Sequence, residues 1–181
     1  MEFIETELTG VFIVIPEVFK DSRGYFCEIY RDDLFKKNVG TTTFVQDNES
    51  QSSYGVLRGL HYQLHPCAQS KLVRAVYGSI LDIAVDIRKD SSTYGKHFSI
   101  ELSHSNKKAL FIPKGFAHGF IALSEYAIVQ YKVDNFYSRA HDRGIDAFDG
   151  ELAIDWKLPL DVIKRSDKDK NLPCLREAEV L

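Results

Sequence analysis

The chain has 181 residues, 44% hydrophobic and 27% charged, which suits one domain spanning 1–181 with a sizeable core. A formal net charge of −3 argues against a generic nucleic-acid binder, so any anionic ligand has to be gripped by local Arg and Lys side chains. The opening MEFIETELTG lacks a basic n-region, and no apolar stretch approaches the ~18–20 residues of a membrane span; a cytoplasmic protein with no membrane partner is expected.

Short apolar runs rich in β-branched residues recur along the chain, each closed by a turn signal. GVFIVIP (10–16) comes first, followed by DSRG (21–24), which by itself reads as a turn. RDDLFKKNVG (31–40) predicts a short helix, with Lys36 and Lys37 near its C-terminus and Gly40 beyond it. Strand-like runs follow at TTTFVQDN (41–48), GVLRGLHYQ (55–63), SKLVRAVYG (70–78), ILDIAVDIR (80–88) and HFSIELS (97–103). KALFIP (108–113), HGFIALS (118–124) and AIVQYKVDNFY (127–137) complete the series. A recurrence of about ten residues is the signature of an all-β sandwich or barrel.

ILDIAVDIR shows the strand logic: Leu81, Ile83, Val85 and Ile87 point one way, and Asp82, Ala84, Asp86 and Arg88 the other. On an outer strand the second face meets water; in a small barrel it can line a polar cavity. Beyond it, IDWKLPLDVIKRSDKDKNLP (154–173) turns irregular, which predicts a C-terminal segment lying against the barrel with one short helix. Cys27, Cys67 and Cys174 are odd in number, have no CxxC spacing, and read as reduced thiols.

Two histidines four apart, His61 and His65 in LRGLHYQLHP, raise the question of a metal. On a helix they would sit about 6 Å apart and could share zinc, but along a strand the same spacing covers roughly 13 Å, beyond the reach of ~2 Å metal–nitrogen bonds. Gly59 and Pro66 both disfavour a helix here, so the pair does not share a metal and His65 is expected in a loop. The spacing Pro113-x-Gly115-x-x-His118 in IPKGFAHGF is similar to the second metal motif of cupin jelly rolls. Where that motif continues to an Asn, however, this chain has Ala122, and the first motif's His-x-His is here His61-x-Gln63. A cupin-type barrel with incomplete ligands, no metal and no cofactor is the expectation.

Several blocks in order, DSRGYFCEIY, FVQDNESQSSYGVLRGLHYQ, QSKLVRAVYGSILDIAVDIR, FIPKGFAHGF, VQYKVDNFY and SDKD, resemble the dTDP-4-dehydrorhamnose 3,5-epimerases. This resemblance implies an all-β, cupin-type jelly-roll barrel (double-stranded β-helix) with short peripheral helices. It also implies cofactor-free inversion of a dTDP-sugar substrate at C3 and C5, and a homodimer that exchanges N-terminal strands. Both protons flank the C4 ketone, so their removal gives an enolate on O4. That chemistry needs a base on one face, a cation or donor at O4, and an acid on the other face.

By resemblance the base is His61, an imidazole that is largely neutral near pH 7 at its reference pKa of ~6.5. Asp169 orients it, Lys71 meets the charge on O4, and Tyr131 is the acid. Arg23, Phe26 and Glu28 match a nucleotide-contacting segment that the partner subunit supplies; Arg suits a pyrophosphate and Glu can accept from a thymine N–H. Gln46, Asp47, Asn48, Arg58, His118 and Lys168 match further substrate contacts. Asp142 stands where the family has a glutamate and is left unassigned, and Trp156-Lys157 replaces the family's Trp-Pro. The alternatives are a 3-epimerase of the same fold, a metal-dependent cupin enzyme, and a non-catalytic sugar-nucleotide binding module.

Overall fold

The computed structural model describes residues 1–180, and among these lie thirteen strands and two short helices. In chain order these are β1 (Glu2–Glu5), β2 (Phe12–Ile15), β3 (Val18–Asp21), β4 (Gly24–Cys27), α1 (Asp32–Asn38), β5 (Gln46–Ser53), β6 (Leu57–Gln63) and β7 (Lys71–Tyr77). Then come β8 (Ser79–Asp86), β9 (His97–Ser103), β10 (Ala109–Ile112), β11 (Phe116–Ala122), β12 (Tyr126–Val133), β13 (Asp142–Gly144) and α2 (Asp167–Lys170). One sheet runs β1-β2-β10-β7-β12-β5 and the other β13-β6-β11-β8-β9, with every paired neighbour antiparallel. Neighbours that are distant in sequence and a shared core make this the expected all-β cupin-type jelly roll.

All nine predicted runs fall on strands, and the helix expected over 31–40 is α1. TTTFVQDN is strand only from Gln46 onward, and β1, the β3–β4 hairpin and β13 were not expected. The hairpin explains its own invisibility: its residues are mostly exposed, so no alternating apolar pattern marks it. His65 lies in a turn, as expected.

Three apolar clusters hold the barrel. The first fills the space between the sheets with Val73, Val129 and Leu110 from one wall and Ile80, Ala84 and Phe120 from the other. The second packs the outer face of β6, β8 and β11 (Leu60, Ile83, Val85, Ile121) beneath the C-terminal segment through Trp156, Leu152 and Leu175. In the third, α1 seats Phe35 against Val14, Leu72 and Phe111 on the outside of the other sheet. Each fully buried Leu, Ile or Phe contributes about 1.5–3 kcal/mol against exposure. Strand β8 is consequently buried on both faces, and its second face points into the barrel.

A bulge in β6 sets the site. His118 pairs with His61 and Phe120 with Arg58, so three residues of β6 span what two of β11 span. Arg58 and His61, which strict alternation would send to opposite faces, therefore share the inner one, while Leu57 and Leu60 share the outer. The extra residue is Gly59 at φ +119°, where an added Cβ would stand 2.6 Å from Gly119 Cα and 2.7 Å from the His118 carbonyl oxygen. Only glycine fits.

Candidate active site

Between the sheets, toward the end where β7 begins, the polar inner faces of the strands line two chambers of about 420 and 350 Å³. His61, Lys71, Tyr131 and Lys168 border both. His61 (β6) and His118 (β11) come from one sheet; Lys71 (β7) and Tyr131 (β12) come from the sheet facing it. Gln46, Asn48, Tyr137 and Asp142 close one chamber, and Arg58, His118, Ser166 and Asp169 the other.

Asp169 reaches His61 from far along the chain because the C-terminal segment is tied to the start of β6. Lys164 N–H donates to Gly55 O at 2.8 Å, and Leu57 N–H to Lys164 O at 2.9 Å. Ser166 then caps α2, its hydroxyl accepting from Asp169 N–H at 3.1 Å, and the Asp169 carboxylate accepts from His61 Nε2 at 2.7 Å. Gly59 N–H approaches the other carboxylate oxygen at 3.4 Å. Burial pushes the Asp169 carboxyl up, but the hydrogen bonds from His61, Gly59 and Ser166 and the His61 charge outweigh it and hold it below the usual range.

Among the described residues Lys71 Nζ has one long hydrogen bond, to the His61 carbonyl oxygen at 3.4 Å. Lost hydration pulls its pKa down to about 8, against the attraction of Asp82 and Asp142. Burial likewise pushes the Tyr131 phenol up, with Arg58 opposing. His118 is held low by burial and by the neighbouring Lys71 and His61, although Asp82 pulls the other way.

Of the sequence-derived residues, His61, Lys71, Tyr131, Asp169, Gln46, Asn48, Arg58, His118 and Lys168 converge on the cavity. Asp47 does not border these two chambers: alternation along β5 turns its side chain to the outer face, where it accepts from Lys132 Nζ at 2.9 and 3.0 Å. Arg23 and Phe26 stand on the β3–β4 hairpin and Glu28 just beyond it, all outside the chambers of their own chain. Gln63, at the cupin ligand position, is used structurally: its amide donates to Cys67 O and Phe136 O and accepts from Ser138 N–H. Among the described residues no group of three or more His, Cys, Asp or Glu could hold a metal ion.

Sequence reasoning missed Asp82, whose Oδ1 accepts from His118 Nε2 at 2.8 Å. It was visible only as one of two acids on the second face of ILDIAVDIR. Asp142, left unassigned, accepts from Lys168 Nζ at 2.6 Å and from the Tyr137 hydroxyl at 3.1 Å.

A family model described as dTDP-4-dehydrorhamnose 3,5-epimerase matches residues 5–177. The chain is 49% identical over 179 residues to the dTDP-4-dehydrorhamnose 3,5-epimerase of Methanothermobacter thermautotrophicus, covering 98% of this chain and 96% of that protein. It superimposes on the crystal structure of dTDP-4-dehydrorhamnose 3,5-epimerase from Elizabethkingia anophelis with a TM-score of 0.95 at 46% identity, over 98% of this chain and 97% of the other. A Legionella pneumophila dTDP-6-deoxy-D-glucose-3,5-epimerase in complex with dTDP-4-keto-L-rhamnose matches with a TM-score of 0.93 at 41% identity, over 97% and 93% of the two chains.

Proposed function

Because the chain belongs to the dTDP-4-dehydrorhamnose 3,5-epimerase family, we propose that the cavity epimerises dTDP-4-dehydro-6-deoxy-D-glucose at C3 and C5 through an enolate, with His61, Lys71, Tyr131 and Asp169 as its machinery. The chain is an isomerase of dTDP-rhamnose biosynthesis, and the product is dTDP-4-dehydro-L-rhamnose. One observation carries the assignment of roles. His61 and Tyr131 stand on opposing sheets and border the same space, which suits a reaction that takes a proton from one face of a carbon and returns one to the other.

His61 takes the proton from C3 or C5, and the C–H electron pair moves into the enolate with its charge on O4. Asp169 fixes the ring and favours the imidazolium that forms, as in other His–Asp pairs. The Lys71 ammonium meets O4, where a charge partly withdrawn from water acts more strongly than in bulk solvent. Tyr131 then gives its phenolic proton to the carbon from the other wall. Burial keeps that phenol protonated until an enolate, a strong base, is there to receive the proton. Solvent returns the tyrosine and the histidine to their starting states.

Gln46, Asn48, Arg58, His118 and Lys168 hold the sugar nucleotide, with the basic side chains suited to pyrophosphate. Arg23, Phe26 and Glu28 belong to this set through a second copy of the chain. Their hairpin exposes Phe19 and Phe26 at 55% and 68%, a surface that a homodimer with exchanged N-terminal strands would cover. We infer a cytoplasmic enzyme whose proton-transfer chemistry asks for no cofactor.

Mass spectrometry of product formed in D₂O, with and without a chelator, tests this reading. Two deuteria, unaffected by the chelator, are expected. One deuterium would make the protein a 3-epimerase, and loss of turnover with the chelator would replace the mechanism by a metal-dependent one.

A further inference from the structure

Among the buried ionisable groups that the mechanism above leaves unused, Asp86 is satisfied by Arg88, Ser91 and Thr93, whereas Asp82 is not fully paired. Asp82 is fully buried on β8, and while its Oδ1 accepts from His118 Nε2 at 2.8 Å, its Oδ2 has no hydrogen-bond partner among the described residues. Leaving such an oxygen bare costs about 1–3 kcal/mol, and more for a charged group. The residues on either side of it on the same face, Ile80 and Ala84, are ordinary apolar core, so the fold could accept an apolar side chain here. A cost of this kind, retained beside a reaction chamber, calls for a function.

We propose that Asp82 is a positioning residue of the O4 side of the site: its carboxylate is the counter-charge that fixes the His118 ring and keeps Lys71 an ammonium inside the cavity. This rests on the role given to Lys71 above. Lys71 is faced from every wall. Asp82 (β8) and Asp142 (β13) attract its charge. His118 (β11) and Lys168 (α2) are basic neighbours, and His61 (β6) and the Tyr131 phenol (β12) complete the surround, with the Tyr137 phenol beside Asp142. The two acids are not equivalent. Asp142 is engaged by Lys168 and Tyr137, whereas among the described residues Asp82 has a single neutralisable partner and one oxygen without a hydrogen bond. An opposite charge at close range typically moves a pKa by about 1–3 units, enough to decide the state of a lysine already brought down to about 8.

The pH profile of kcat/KM for dTDP-4-dehydro-6-deoxy-D-glucose, measured for the wild type, Asp82→Asn and Asp142→Asn, tests the proposal. In Asp82→Asn the alkaline limb is expected to move down by at least about one pH unit, with the rate recovering toward wild type in acid. A profile depressed equally at all pH values with its limb in place would mark Asp82 as merely structural, and a larger shift in Asp142→Asn would give the counter-charge to Asp142; either overturns the proposal. Titration of Lys71 by ¹³C NMR in lysine-labelled wild type and Asp82→Asn reads the same quantity without turnover. A lower value in the variant supports the counter-charge, and an unchanged one refutes it even if another reaction is catalysed. Should Asp82→Asn not fold, ¹⁵N spectra of His118 in the wild type decide: Nε2 must carry a proton, and a bare Nε2 would mean that Asp82 is not its acceptor.

Discussion

His61 meets Asp169 at 2.7 Å and His118 meets Asp82 at 2.8 Å, yet the two pairs live in different surroundings. The His61 side chain is 31% exposed, its carboxylate partner sits on the first turn of a short helix, and several donors reach that aspartate. His118 is 8% exposed, Asp82 not at all, and both are held by neighbouring strands of one sheet. A group that must pick up a proton and pass it to solvent belongs at a wet edge, with a partner that stabilises the charged form. A pair that only positions its neighbours and balances their charge works best where it is packed and nothing needs to move. On the proposed roles, the same pairing would serve a proton carrier in one place and a fixed support for the neighbouring Lys71 in the other.

The largest effect is expected on the wet side. His61→Ala removes the base and is expected to cost about 10⁴-fold in kcat while dTDP binding, by calorimetry, stays near wild type. A variant that kept its rate would move the base elsewhere. Tyr131→Phe is expected to lower product formation about 10³-fold while washout of a deuterium label at C3 continues, since the base side is intact. Loss of both would mean that Tyr131 also holds the substrate.

On the buried side, Lys71→Met separates stability from activity. It is expected to lower kcat about 10²-fold by removing the charge at O4. Because Lys71 binds its proton less tightly in the folded chain (about 8) than in the unfolded one, the unfolded state carries more protons between those two values. Stability therefore rises with pH through that window, and below it the buried charge costs up to about 3 kcal/mol. The variant is expected to melt higher at neutral pH, with the pH dependence above 8 reduced, as calorimetry would read. Wild-type activity runs the opposite way, falling as pH rises through about 8 because the ammonium is lost.

How much of this was legible in the sequence differs between the pairs for a physical reason. The strands announce themselves because burial on one face imposes a period of two, and the runs at 70–78, 80–88 and 127–137 locate β7, β8 and β12 directly. His61 and His118 stood out as histidines within such runs. Asp169 could be linked to His61 only through the family likeness, since no local pattern encodes a contact across a hundred residues. Asp82 stood on a face that alternation left free either to meet water or to line a polar cavity, and only the layer built around Trp156 and Leu175, which covers the apolar face, decides for the cavity. Alternation is equally plain along β5, where Gln46 and Asn48 border the chamber and Asp47 between them turns its side chain outward.

The smallest predicted effect isolates what keeps Asp169 in place. Its position depends on a single turn of helix that begins at Ser166, whose hydroxyl accepts from Asp169 N–H at 3.1 Å. Removing an N-cap side chain costs about 1 kcal/mol, which in a four-residue helix falls on local order rather than on the barrel. Ser166→Ala is therefore expected to lower kcat by less than about tenfold, with little change in melting temperature and with activity restored by Ser166→Thr. Asp82 has no such dependence, because β8 is hydrogen-bonded on both sides, to β11 and to β9. Hydrogen exchange at Asp169 N–H supplies the independent reading. Faster exchange in Ser166→Ala, with the amides of β8 unchanged, would tie the rate loss to the cap. Unchanged exchange together with a lost rate would instead give the Ser166 hydroxyl, which borders the chamber, a direct contact with the substrate.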